Sequence, residues 1–235
     1  MTSCSLFAGL SGTVAGREFI ASKEVYIDRI VGLACDNVKN IVKDALACLV
    51  NLAGDDVTAR LIINCANSGE FLDMLLSNVV EKGCLLADVL AMLLSNLTRI
   101  EEGADKVVGM LTSADPPTTM DRLVQVMCLL DYNPNADLHF LAPFLANLSQ
   151  ISVTRKQFLD KEGCILQRLL PFTQHENLIR RQGITSILKN VCFETGKLSQ
   201  TPKIRDHRRC ACDSYHMGLV HLLFFIRSLL ICSGK

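Results

Sequence analysis

Apolar residues return along this chain at three- and four-residue spacing, not in alternation. Leu138, Leu141, Leu145 and Leu148 recur on one face, and Phe140, Phe144 and Asn147 form a second row beside it. A period near 3.6 predicts helix, and a helix apolar on two sides predicts burial between neighbours. Asn133-Pro134 reads as an N-cap followed by proline at the first helical position, so this helix is expected to start there. Pro143 then falls inside it and is expected to kink it, at a cost of about 3 kcal/mol unless packing compensates.

The stretch "APFLANLSQ" (Ala142 to Gln150) has relatives elsewhere in the chain. Leu49-Val50-Asn51-Leu52, Leu94-Ser95-Asn96-Leu97 and Leu188-Lys189-Asn190-Val191 each place an asparagine late in an apolar helical run. The asparagines stand 45, 51 and 43 residues apart, and Leu10-Ser11-Gly12 aligns 39 residues upstream with Gly in place of Asn. Periods of about 40–47 residues are those of HEAT and armadillo arrays. Arg17, Arg60 and Arg155 each open a short apolar helix; a break such as Glu162-Gly163, a second helix such as "CILQRLLPFT" and the longer helix with the late Asn follow. The order predicts an all-α, armadillo/HEAT-like right-handed helical solenoid over residues 1–197 with an incomplete first repeat. Residues 198–235 read as a non-repeat tail containing a partly apolar helix.

Composition narrows the class. Hydrophobic residues make up 49% of the chain while aromatics are 6% with no Trp, which favours packed helices over a sandwich. Lys plus Arg equals Asp plus Glu at 24 each, and a phosphate-binding surface would show a basic excess, so no nucleic acid is expected. Eleven cysteines would suit a disulfide scaffold. However, Cys35, Cys48, Cys84, Cys128, Cys164 and Cys192 sit singly inside apolar runs, where a reduced thiol acts as a small hydrophobe. An odd count without regular spacing fits a reducing compartment. No Lys or Arg precedes Arg17, and Gly and Ser interrupt the first apolar stretch, so no secretory signal is read and a cytoplasmic location is expected.

Asn147-Leu148-Ser149 and Asn96-Leu97-Thr98 match the N-glycosylation pattern, but the repeat itself places Ser or Thr two residues after Asn. Two readings of the asparagines stay open. An amide carries both donor and acceptor, so a ladder of them pairs with an extended peptide of any sequence. Alternatively, each Asn bonds backbone groups of the adjacent repeat. The candidate client-binding residues are Asn51, Asn96, Asn147 and Asn190 on the third-helix surface, with Arg180 and Arg181 on its rim.

Armadillo proteins that bind nuclear-import signals or cadherin-type tails typically pair the ladder Asn with a Trp four residues earlier. Those positions here are Ala47, Met92, Pro143 and Ser186, so an import receptor is not expected. A closer match lies over residues 120–194. It rests on a Tyr-Asn-x-x-x-x-Leu-His turn (Tyr132 to His139), Leu-Ala-Pro before Asn-Leu-Ser-Gln (Leu141 to Gln150), Gln-Arg-Leu-Leu-Pro (Gln167 to Pro171), Arg-Arg-x-Gly (Arg180 to Gly183) and Cys-Phe-Glu (Cys192 to Glu194). On these motifs the chain resembles the HGH-type armadillo-like family, with residues 6–110 compatible. The resemblance implies a non-enzymatic adaptor that needs no cofactor. Its implied partners are a folding intermediate of translation elongation factor 2 and the cytosolic TRiC chaperonin. The alternative is a generic armadillo peptide-binding scaffold, tethered to a membrane through the apolar tail. The resemblance stops after Lys197, whereas family members continue with further helical repeats and an acidic C-terminal part, and they carry helices ahead of the position of Met1. The change at residue 198 is expected to be an alternative end that leaves apolar surface uncapped.

The tail places His207, Cys210, Cys212 and His216 together, but His-x2-Cys-x-Cys-x3-His matches no common zinc pattern, so no metal site is expected. The apolar run Met217 to Cys232 falls short of the ~20 residues that span a bilayer and is interrupted by His221 and Arg227. A cap over the last repeat is expected in place of an anchor. There is no phosphate-binding Gly loop, and Gly9-Leu10-Ser11-Gly12 lacks the last glycine of a nucleophile elbow. His139, beside Asn133 and Asp137, reads as a turn or capping residue and not as a base.

Overall fold

The structure is a computed structural model and describes residues 3–160 and 163–198. Within them the chain is helix and turn throughout, with no strand. The helices are α1 (Ser3–Ser11), α2 (Val14–Ala21), α3 (Glu24–Ala34), α4 (Lys39–Leu52), α5 (Asp56–Asn64), α6 (Ser68–Val79), α7 (Ala87–Leu97), α8 (Glu101–Leu111), α9 (Met120–Cys128), α10 (Leu141–Leu148), α11 (Ser152–Leu159), α12 (Ile165–Leu169) and α13 (Leu178–Leu198). A 3-10 turn, Leu170–Gln174, extends α12.

These elements form layers of three. α2–α4, α5–α7, α8–α10 and α11–α13 are four successive layers, and α1 is the third helix of a layer before them. The third helices stack in chain order, α1 on α4, α4 on α7, α7 on α10 and α10 on α13. Second helices continue the stack, α3 against α6 and α9 against α12, while α5 packs on α8 among the first helices. No layer can bury its apolar faces alone, so each is stable only against its neighbours.

The apolar period explains the stacking. α4 turns Ala45, Leu46, Leu49 and Leu52 inward at helical spacing, and α7 does the same with Leu90, Leu93, Leu94 and Leu97. Phe71, Phe144 and Phe158 are fully buried, one in each of the last three layers. Helix starts are set by side chains that take up the otherwise orphaned first-turn N–H groups. Thr13 accepts from Gly16, Asp55 from Val57 and Thr58, and Thr119 from Arg122. The N–H of Thr58 also holds the Asp55 carboxyl below its usual range.

α10 starts seven residues later than the sequence predicts. Asn133 does not cap it: the Asn133 side chain accepts from the N–H of Asn135 and donates to the Cys84 carbonyl in the previous layer. Leu138 is buried but sits at φ 56, a left-handed conformation that breaks the helix. With Leu141 as the first helical residue, Pro143 lies in the first turn, where an N–H has no partner within the helix. The missing donor therefore breaks no helical bond, and the kink expected at Pro143 has no cause.

The cysteines divide further than their apolar settings suggest. Cys48 is buried and Cys65, Cys84, Cys128 and Cys192 are half-buried, but Cys35 and Cys164 are exposed at helix ends. The histidine–cysteine cluster and the apolar run of the tail lie outside the described residues.

Candidate functional site

Each ladder asparagine donates its amide to the end of the preceding third helix. Asn147 reaches the Ser95 carbonyl at 2.9 Å and Thr98 Oγ1 at 3.2 Å. Asn190 reaches Ser149 Oγ at 2.9 Å and the Ala146 carbonyl at 3.3 Å. Asn96 reaches the Val50 carbonyl at 3.2 Å, and Asn51 reaches Ser11 Oγ at 3.0 Å. A carbonyl only accepts, and the Ser11 hydroxyl gives its own proton to the Ala8 carbonyl, so these contacts fix which way each amide points. The donor end is spent on stacking, while the Oδ1 atoms accept no hydrogen bond among the described residues.

The Ser or Thr two residues after Asn completes a relay. Thr98 Oγ1 donates to the Leu94 carbonyl at 2.7 Å and accepts from Asn147. Ser149 Oγ donates to Ala146 at 2.6 Å and accepts from Asn190. Both hydroxyls are buried. Asn-x-Ser/Thr is thus a stacking device in which one layer's hydroxyl receives the next layer's amide. Asn96 has only a carbonyl to bond because Ala53 stands where the hydroxyl would be.

The relay also corrects the register of the first layer. Ser11 is the hydroxyl that receives Asn51, and it donates in turn to Ala8. Gly9-Leu10-Ser11 therefore matches Asn96-Leu97-Thr98, and Gly9, not Gly12, stands in the asparagine position. Close approach gives the same answer. A Cβ on Gly16 would lie 1.9 Å from the Leu10 carbonyl oxygen, as one on Gly103 would lie 2.0 Å from that of Leu97. Arg17 and Arg155 each bond the carbonyl six residues back, at Ser11 and Ser149. Arg60 does not share this role and pairs with Glu102.

Where α10 meets α13 the ladder borders a hollow of about 380 Å³ whose polar lining includes Asn147, Gln150, Gln182, Ser186 and Asn190. The two helices approach closely because Gly183 has no side chain: a Cβ there would fall 2.5 Å from the Ala142 carbonyl carbon and 2.6 Å from Pro143 N. Arg181 borders an adjoining hollow with Gln182, Thr185 and Ser186, and donates to the His175 carbonyl. Gln150, Gln182 and Ser186 were not among the sequence candidates; Gln182 and Ser186 lie two and one helical turns before Asn190, which is the signal that marks them.

Arg180 is not on the rim. It is 5% exposed, donates to the Met127 carbonyl at 3.0 Å and the Asp137 carbonyl at 2.6 Å, and lies over the Phe172 ring. Burial pulls its pKa down from the ordinary guanidinium value. The sequence expectation fails because a guanidinium fork is also the best group for satisfying two buried carbonyls at once.

The Tyr132 to His139 turn is the other half of this arrangement. The Tyr132 hydroxyl donates to the Val80 carbonyl at 2.6 Å and accepts from Arg122. Asp88 accepts the N–H groups of Asp137 and Leu138. One turn therefore binds the layer before it, through Val80, Cys84 and Asp88, and the layer after it, through Arg180. His139 sits within it, its ring edge-on to His175. Its pKa is lowered by burial first and by the Arg180 charge next, with Asp137 and Asp88 opposing.

Among the described residues no cluster of His, Cys, Asp and Glu is arranged to hold a metal ion, and no helix is long and apolar enough to cross a membrane. Comparison with solved structures finds the same architecture in the designed armadillo repeat protein YIII(Dq)4CqI, with TM-score 0.56, 15% identity, 80% of this chain and 82% of that one covered. Among curated proteins the chain is 36% identical over 187 residues to Protein HGH1 homolog of Danio rerio and 34% identical over 185 residues to that of Xenopus tropicalis. These alignments cover 79% of this chain and 48% and 50% of the relatives, so the chain spans about half the length of the relatives it matches. The family model described as Domain of unknown function (DUF383) matches residues 78–203, more than half of the chain. The turn, the Arg-Arg-x-Gly contact and the last three ladder asparagines all fall in that span, and the chain belongs to the HGH1 family.

Proposed function

We propose that this protein is a non-enzymatic adaptor that holds an extended segment of translation elongation factor 2 during folding and works with the TRiC chaperonin. The observation that carries the binding mode is the half-used ladder. The amide donors of Asn51, Asn96, Asn147 and Asn190 are engaged in stacking, and their Oδ1 acceptors are left to meet the N–H groups of a client backbone. Arg181 flanks this surface and Arg180 supports it from inside. Family membership supports the choice of partners. A rigid repeat surface suits such work because it pays little ordering entropy when a partly folded client binds.

The test is recovery of elongation factor 2 and chaperonin subunits on the tagged full chain, compared with a Gln182→Ala/Ser186→Ala variant. Both positions are exposed and make no stacking bond, so the variant should keep the parent's melting temperature while recovering at least about fivefold less client, the loss of one or two hydrogen bonds. Equal recovery by both chains would refute the surface. Failure of the parent chain to recover elongation factor 2, where a full-length relative does, would refute the partner.

A further inference from the structure

The carbonyl groups at the ends of the second helices are treated differently at successive layer junctions. At the end of α6, the Val80 carbonyl accepts from the Tyr132 hydroxyl, and the Tyr132 ring lies against Arg122. At the end of α9, the Met127 carbonyl accepts from Arg180, whose guanidinium lies against Phe172. In both places a planar side chain from the following layer enters the gap and donates a hydrogen bond. At the end of α3 nothing does so. No described residue donates to the carbonyl of Cys35, and the gap is a cavity of about 220 Å³.

Its walls correspond to those around Tyr132. Cys35 and Val80 are the C-caps of α3 and α6 and have similar backbone angles, φ −102 and ψ 13 against φ −96 and ψ 1. Met74 of α6 stands where Arg122 of α9 meets the Tyr132 ring, and Val42 and Leu46 of α4 stand where α7 has Ala87 and Ala91. The cavity exists because the connection from α6 to α7 is short, whereas that from α9 to α10 is long enough to fold Tyr132 back. Leu86 and Leu90 complete the apolar wall, and the Asn78 amide donates to Met74, while its oxygen meets no donor among the described residues.

We propose that this cavity receives a tyrosine side chain from a partner protein. The ring packs against Met74, Leu46 and Leu86, a favourable setting for a thioether and an aromatic ring. The hydroxyl donates to the Cys35 carbonyl as Tyr132 does to Val80. Asp36 lines the mouth and Glu70 acts electrostatically on Cys35, so a phosphorylated tyrosine is repelled. The inference stands apart from the identity of the partner that the ladder surface takes.

The probe is p-cresol added to the full chain, with toluene and 4-methylphenyl phosphate as comparisons. Alkylation of Cys35 is followed by mass spectrometry against Cys164, an exposed thiol in a distant layer that serves as internal control. Saturating p-cresol should slow Cys35 alkylation and leave Cys164 unchanged. Toluene should bind about fivefold more weakly, the worth of one hydrogen bond, and the phosphate should not protect. Met74→Phe fills the slot from within and should abolish protection with the helical circular dichroism intact. No protection by p-cresol, equal affinity for toluene, or equal slowing at Cys164 would each overturn the proposal.

Discussion

Replacing Asn147 by alanine separates what the ladder does for the fold from what it does for a client. The amide donates two bonds, to the Ser95 carbonyl and to Thr98 Oγ1. A bond of this kind contributes about 0.5–1.5 kcal/mol net. Thr98 keeps its own bond to Leu94, and Ser95 is only half-buried, so water can replace part of the loss. The expected cost is therefore about 1–2 kcal/mol, a fall in melting temperature of about 2–8 °C for a chain of this size. Asn147→Asp should cost more, because a carboxylate keeps the shape but presents no donor to two acceptors. Asn51→Ala should cost less, since Asn51 is exposed and bonds a single hydroxyl. Urea unfolding followed by circular dichroism measures all three. An Asn147→Ala chain within about 0.3 kcal/mol of the parent, or an aspartate no worse than alanine, would show that the amide does not stitch the layers.

Gly183→Ala forces a methyl group onto the Ala142–Pro143 backbone, and should destabilise the chain by about 1–3 kcal/mol in the same assay. Arg180→Lys keeps the charge but loses the rigid planar fork that reaches the Met127 and Asp137 carbonyls and lies over Phe172; a loss of about 1.5–3 kcal/mol is expected, and a smaller one would make the fork dispensable. His139 holds its proton less tightly in the folded chain than in the unfolded one, so its contribution to stability is full above the ordinary histidine value of 6.5 and is lost as pH falls through and below it. Unfolding curves between pH 5 and 8 should lose part of their slope in His139→Gln, and an unchanged slope would remove His139 as the source.

The layer plan was legible in the sequence because every third helix repeats the same demand: an apolar inner face and a polar group that reaches the previous layer. Asn51, Asn96, Asn147 and Asn190 answer that demand in one register. The demand does not say which end of the amide is used, so the sequence alone leaves binding and stacking both open. Gly12 misled because glycine in place of Asn is a composition match, whereas Ser11 carries the hydroxyl that the next layer needs. Asn133-Pro134 misled for a related reason. Its cap-like signal is real, but Asn133 spends its side chain on Cys84 and on its own turn, and the buried Leu138 adopts a left-handed angle held by Asp88. Long-range bonds of that kind have no local spacing to betray them. Arg180 belongs to the same class, since an arginine on a polar-looking helix turn reads as surface until two carbonyls are found behind it.

These cross-layer bonds are unevenly distributed, and the unevenness has a consequence for how the array holds together. From Val80 onward, adjacent layers are joined by the amide ladder and by inserted side chains, first Tyr132 and Asn133, then Arg180. Between the layers of α2–α4 and α5–α7 the third helices are joined by one amide bond, from Asn96 to Val50, and a cavity takes the place of the inserted side chain. Arg99 adds bonds to Gly54 and Asp56 there, but at an exposed position where such pairs contribute little. In a repeat array, stability is close to a sum of layer and interface contributions. The Ala66 N–H also donates to Asp28 across this junction, but no side chain is inserted at the end of α3, and the family domain that begins at residue 78 takes in the Asn78, Leu86 and Leu90 walls of the cavity. The same missing side chain leaves one cross-layer bond unmade and opens a slot shaped to take one from outside. A partner tyrosine in that slot would supply the bond that Tyr132 supplies one layer further on, so occupancy should stiffen the array at the junction that lacks an inserted side chain.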